Sequence, residues 1–323
     1  PDNFAGWMMT WNYTAIRSSG ISSVQREAEQ HLGRPWTRMC PTIGVLVNTF
    51  ADKTNDSRYD GTFVTTYRGN WNKAGNTSAT LNNANGLPVA PGGAILTFLD
   101  SEPSTPITYP STGSGANNVG AGELPGRSDY VISPRGISRI VYPGLWKIGT
   151  YTTLDPNGLG YPNAALTRPF NVAKFSEFYF IAAEAAVKGA SGAKSARDLI
   201  NVIRGRAGKW KFSNAQNVSY IADNSAAMIA ATPSTITVDY ILAERSREYY
   251  GEFYRWYDLV RTQKWQELGA TYQIGGTAYG NHDPQTVTRN IQKFHYLRPI
   301  PSSQLDAMSM TAEEKAKYQN PGY

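Results

Sequence analysis

The chain has 323 residues, 41% of them hydrophobic and 17% charged, enough to bury a sizeable core and free of the bias of a disordered segment. Its formal charge of +6, from 31 basic against 25 acidic side chains, is spread without any like-charged block, which speaks against a track for nucleic acid. One cysteine and three histidines rule out an internal disulfide and leave no Cys/His cluster with zinc spacing, so neither a metal nor a cofactor is expected.

The first residues crowd Phe4, Trp7, Met8, Met9 and Trp11 together. That is apolar for a free terminus and lacks the charged-then-apolar layout of a signal peptide, so further residues are expected upstream. From residue 1 to about 167, Gly, Pro, Asn, Ser and Thr alternate with short apolar runs at 44–47 and 94–99. This predicts loops, turns and short strands, with long surface loops at 75–93 and 101–126. Residues 52–60 are dense in oxygen ligands. A calcium loop starting at Asp56 would nevertheless put Arg58 at its third ligand position and Tyr67 at its twelfth, so a capped turn is expected.

Near Arg168 the character changes, and residues 168–323 read as a helical part. Residues 173–188 are apolar nearly all round and stop at Gly189, which predicts a buried helix. Residues 193–206 place Ala196, Leu199, Ile200 and Ile203 at helical spacing, and the short connection predicts antiparallel packing of the two. A long helix is expected over 238–265, with Leu242, Ser246, Tyr249, Phe253, Trp256 and Val260 as its apolar stripe and Gly251 as a kink. Its other side carries Glu244, Arg247, Glu252, Arg255, Asp258 and Arg261, which reads as a solvated, mutually paired face. A strand is predicted at 293–297, closed by Pro299 and Pro301, and a short helix from Ser302 or Ser303. No stretch approaches the roughly 20 apolar residues of a membrane-spanning helix.

A search for catalytic constellations finds no Gly-x-Ser-x-Gly elbow, no His-Glu-x-x-His pair, no Walker loop and no dinucleotide fingerprint. A glycoside hydrolase needs only two carboxylates and is the enzyme class that stays open. The pairs Glu177/Glu184 and Glu244/Glu252 read as structural ion pairs.

Several motifs occur in a fixed order. They are Asp-Ser-Arg-Tyr-Asp-Gly-Thr-Phe at 56–63, Lys-Phe-Ser-Glu-Phe-Tyr-Phe-Ile-Ala-Ala-Glu-Ala at 174–185 and Ile-Leu-Ala-Glu-Arg-Ser-Arg-Glu at 241–248. Gly-Glu-Phe-Tyr-Arg-Trp-Tyr-Asp-Leu-Val-Arg-Thr follows at 251–262, then Tyr-Leu-Arg-Pro-Ile-Pro at 296–301 and Gln-Asn-Pro-Gly-Tyr at 319–323. Together they resemble the C-terminal part of the SusD/RagB family over roughly residues 48–323. The resemblance implies a mainly α fold of tetratricopeptide-like helix hairpins, with a loop-rich irregular face and a few short strands. It implies a non-enzymatic lipoprotein on the bacterial outer-membrane surface, held by an N-terminal lipid anchor outside this chain. Such a protein captures oligosaccharide and passes it to a SusC-like TonB-dependent transporter. A peptide-binding member of the same family, or a glycoside hydrolase, is the alternative.

Sugar binding needs an aromatic platform for a pyranose face and polar groups for its hydroxyls. Tyr67, Trp71 and Asn72 supply that mixture within six residues and are the expected ligand contacts, with Trp36 as a further candidate. The alternative for Trp71 is that it pins its loop to the core.

Overall fold

The computed structural model describes residues 4–109, 119–149, 158–163, 169, 171–277 and 281–323. The expected boundary near Arg168 and part of the 101–126 loop lie outside them. Two buried apolar clusters organise the rest. The larger one holds Trp11, Tyr13, Phe50, Phe63, Tyr67, Trp71, Phe98 and Tyr142 in the loop-rich part. The smaller one holds Phe180, Ala183, Ile200, Ile203, Ile236, Ile241 and Tyr249 between the helices. The architecture is helical with several small sheets.

At the centre of the loop-rich part, Thr66–Arg68 pairs antiparallel with Ala94–Phe98, which pairs parallel with Tyr130–Ile132. Ile95, Leu96, Val131 and Ile132 are fully buried, as strands covered on both faces require. The 94–99 run is thus the strand its β-branched content predicts. The 44–47 run is not a strand: Val45–Thr49 forms a wide helical turn closed by Phe50 N–H on the Val45 carbonyl, which turns Phe50 into the core. Trp7, Met9 and Trp11 are buried by this chain's own residues, with Trp11 edge-on to Tyr67 at 5.2 Å.

Phe175–Val187 and Ala196–Ala207 form the expected helix pair. Gly189 ends the first at φ +96°, and Ser195 and Asp198 start the second with a reciprocal capping box. The first helix is not buried all round, in contrast to its composition. Phe180 and Ala183 face the partner helices, whereas Phe175, Phe178 and Ile181 are more than half exposed.

The expected 238–265 helix is broken into Val238–Glu248, Arg255–Arg261 and Trp265–Gly269. Gly251 and Phe253 adopt φ of +80° and +65°, which no α-helix accommodates, and the apolar stripe stops at Tyr249 while Phe253 is exposed. The charged side is the larger correction: Glu244, Arg245, Glu248 and Asp258 are buried. Glu244 takes Arg204, Arg247 and Arg58, and Arg245 takes Asp258 and Glu177. Glu184 pairs with Lys188 and Arg261. Another sequence expectation fails at 293–297, where Lys293–Tyr296 is a 3₁₀ turn because His295 Nδ1 accepts the Gln292 N–H and closes the chain on itself.

Candidate functional site

The structure separates the four residues expected to meet a ligand. Tyr67 and Trp71 are fully buried. Tyr67 packs against Trp11 and stacks on Tyr13, with ring centroids 5.5 Å apart. Trp71 folds over Gly69, where a methyl group would lie 2.1 Å from the indole, and its Nε1–H donates to the Ser78 carbonyl at 2.8 Å. Neither ring offers a face, and Trp71 does pin its loop. Asn72 is exposed in the turn that follows. Trp36 is half-buried elsewhere, 5.4 Å from Trp7, with the Arg34 guanidinium over both rings.

A different place combines aromatic faces with polar groups. The hairpin of Lys209–Ser213 and Val218–Asp223 pairs Trp210 with Ala222 and shifts register before Phe212. The irregularity lets Trp210 turn inward while its neighbours along the strand stay exposed. The Trp210 and Tyr220 rings meet edge to face at 5.3 Å, and Tyr220 is 43% exposed. With Lys53, Tyr59, Asp60, Thr65, Asp100, Ser213 and Gln216 they line a cavity of about 270 Å³. Ligand cavities run from roughly 300 Å³ upward, so this one is sized for an end or a single ring of a longer molecule.

Its polar groups divide into braces and free donors. Asp60 is a brace: Oδ2 accepts the Asn214 N–H at 2.7 Å and Oδ1 the Ala215 N–H at 2.9 Å, which fixes the hairpin turn. Burial raises the Asp60 carboxyl and these two amides oppose the rise. Arg68 braces the same turn by donating to the Ala215 carbonyl at 2.7 Å. Lys53 sits 4.7 Å from the centre of the Tyr59 ring and donates to the Asp100 carbonyl. Burial lowers its ammonium, with Asp100 acting against that.

Two residues of the wall, Tyr59 and Trp210, carry buried donors, the Tyr59 hydroxyl and Trp210 Nε1, that have no hydrogen-bond partner among the described residues. A buried donor left so costs about 1–3 kcal/mol. Burial and the nearby Asp100 and Asp60 hold the Tyr59 phenol far above its ordinary range, so it keeps its proton and can donate it. The residues of the wall thus bring together one half-exposed ring and two buried donors without a partner among the described residues.

Composition did not point here because Trp210 and Tyr220 lie in the helical part of the sequence. The usable signal was the alternation of Trp210 with Phe212 and of Val218 with Tyr220 around the Asn214–Asn217 turn, which marks a hairpin.

A family model described as the SusD family matches residues 48–323. The chain belongs to the SusD family. No curated protein matches it. Among solved structures, a SusD-like protein from Bacteroides fragilis NCTC 9343 matches at 16% identity and a TM-score of 0.38, over 100% of this chain and 46% of that one. The chain thus spans about half the length of that SusD-like relative. SusD-family proteins are generally non-catalytic nutrient-binding proteins of uptake systems, associated with the outer-membrane surface. Among the described residues, no helix is long and apolar enough to cross a membrane.

Proposed function

We propose that this chain captures oligosaccharide at the cell surface, with the Trp210–Tyr220 cavity as its contact point. In this reading the protein is a lipid-anchored partner of a SusC-like TonB-dependent transporter, built on tetratricopeptide-like helix pairs, and it releases the glycan unchanged. The observation that carries the reading is the pair of unpartnered donors, Tyr59 Oη–H and Trp210 Nε1–H, beside the half-exposed Tyr220 ring. A pyranose offers an apolar face to the ring and oxygen acceptors to both donors. Binding without turnover fits the state of Asp60, whose two oxygens are already committed to the hairpin turn and leave Asp100 as the one other carboxylate on the wall among the described residues.

Tyr67 and Trp71 enter this proposal only as core residues. Asn72 and Trp36 are retained as outer contacts for a longer glycan. Calorimetry of the full-length protein against malto-, cello-, xylo- and manno-oligosaccharides, with chromatography of the mixtures afterwards, tests it. Saturable binding with intact sugar is expected. Released product, or binding of extended peptides in place of any sugar, would point to the hydrolase or peptide-binding alternatives.

A further inference from the structure

A second cavity, about 310 Å³, opens on the other side of the Arg58–Thr62 helix, and its chemistry is the reverse of the first. Arg58, Lys147, Lys174, Arg206, Lys209 and Arg247 line it, with Glu248 as the one carboxylate on the wall among the described residues. The strand alternation that turns Trp210 toward the aromatic cavity turns Lys209 into this one.

Neighbouring carboxylates answer part of this charge. Asp56 takes Arg58, Glu244 takes Arg58, Arg204 and Arg247, Glu248 takes Arg58 and Arg206, and Glu252 takes Lys147 and Lys174. Asp223, paired opposite Lys209 in the hairpin, answers that lysine. Seven cations therefore share five carboxylates, and positive charge is left over inside a partly enclosed space.

Two buried guanidinium nitrogens beside this surplus lack a hydrogen-bond partner among the described residues. Arg58, with its side chain 9% exposed, spends Nε and Nη2 on Asp56 and Glu244. Its Nη1 is ion-paired with Glu248 Oε2 at 3.6 Å, beyond hydrogen-bond reach, and has no hydrogen-bond partner among the described residues. The buried Nε of Arg247 is likewise unpartnered. A guanidinium with a free N–H in a cationic, desolvated cavity is the arrangement that binds oxyanions, because the charge and the fork geometry act together.

We propose that this cavity is an oxyanion site that takes a sulfate or carboxylate group, held by Arg58 and Arg247 at its floor and by Lys174, Arg206 and Lys209 at its rim. The site is separate from neutral-sugar binding at the Trp210–Tyr220 cavity and does not depend on it.

The test is isothermal titration of inorganic sulfate into the full-length protein, with chloride adjusted to constant ionic strength. Saturable one-to-one binding is expected. K209E should weaken it by about tenfold or more, since charge-assisted contacts are among the strong ones, while K194E, a charge reversal outside the cavity, should leave it within about twofold. Glucuronate and glucose are then titrated in the presence of sulfate. Competition by glucuronate alone assigns the oxyanion to an acidic sugar, and competition by neither assigns it to a free inorganic anion. Heats that do not saturate, or equal losses in K209E and K194E, would overturn the proposal, since the response would then be to general charge.

Discussion

Arg68 reaches across 147 positions of sequence to donate from Nη2 to the Ala215 carbonyl oxygen at 2.7 Å. That contact joins the 67–72 segment, where the sequence suggested the ligand site, to the hairpin turn that forms a wall of the aromatic cavity. In the proposed reading Arg68 acts on binding indirectly, through this brace. Arg68→Ala should therefore weaken oligosaccharide binding several-fold while lowering stability by only about 1 kcal/mol, the usual net worth of one hydrogen bond. Calorimetry and urea unfolding of the same variant check the two halves of this statement.

Trp71 and Tyr220 should behave in opposite ways. Trp71→Ala empties a fully buried site and should cost about 3–5 kcal/mol of stability, as large aromatic truncations in cores do. Tyr220→Ala removes a half-exposed ring and should leave the unfolding midpoint nearly unchanged while reducing affinity by about 0.5–1.5 kcal/mol. Urea melts of both variants beside their binding isotherms give the comparison. Equal behaviour of the two would show that the core and the contact surface have been confused.

Glu244 holds three guanidinium groups in a fully buried position, and Glu244→Gln should cost about 3–5 kcal/mol because it leaves those charges uncompensated. Burial pushes this carboxyl up, but Arg58, Arg247 and Arg204 together outweigh burial and hold it at about 2. A carboxyl lowered on folding contributes stability that is present above 4.5 and lost as pH falls toward 2.

His31 acts earlier in the same titration. Burial against Trp146 pushes its imidazole down from 6.5 to about 4, with Glu27 opposing. The unfolded chain then takes up the proton first, so stability falls as pH drops from 6.5 to 4. His31→Asn should flatten that part of the curve and leave the lower limb in place. Chemical unfolding at half-unit steps of pH would resolve the two limbs.

The helix pair was legible because its signals are local: small alanines, Leu199 and Ile203 at helical spacing, and a glycine stop. The fate of Glu244 and Asp258 was not, since opposite charges three residues apart look the same on a solvated face and in a buried network. Glu244 is held by Arg58 and Arg204, which lie far off in sequence, and Asp258 by Arg245 on the preceding helix. The burial of Tyr67 and Trp71 was hidden for a related reason. Tyr67-Arg68-Gly69-Asn70-Trp71-Asn72 has the composition of a sugar contact, yet Gly69 leaves room for the Trp71 ring to fold inward, and nothing local distinguishes the two outcomes. Trp210 and Tyr220 line the proposed site on a hairpin turn held by Asp60 and Arg68, residues that meet it only in three dimensions.

A crystal structure of the protein with a bound oligosaccharide shows whether the Trp210–Tyr220 cavity holds the glycan. The account predicts a sugar ring stacked on Tyr220, with ring oxygens or hydroxyls within about 3.2 Å of Trp210 Nε1 and the Tyr59 hydroxyl. A glycan bound elsewhere, with this cavity filled only by solvent, would contradict it.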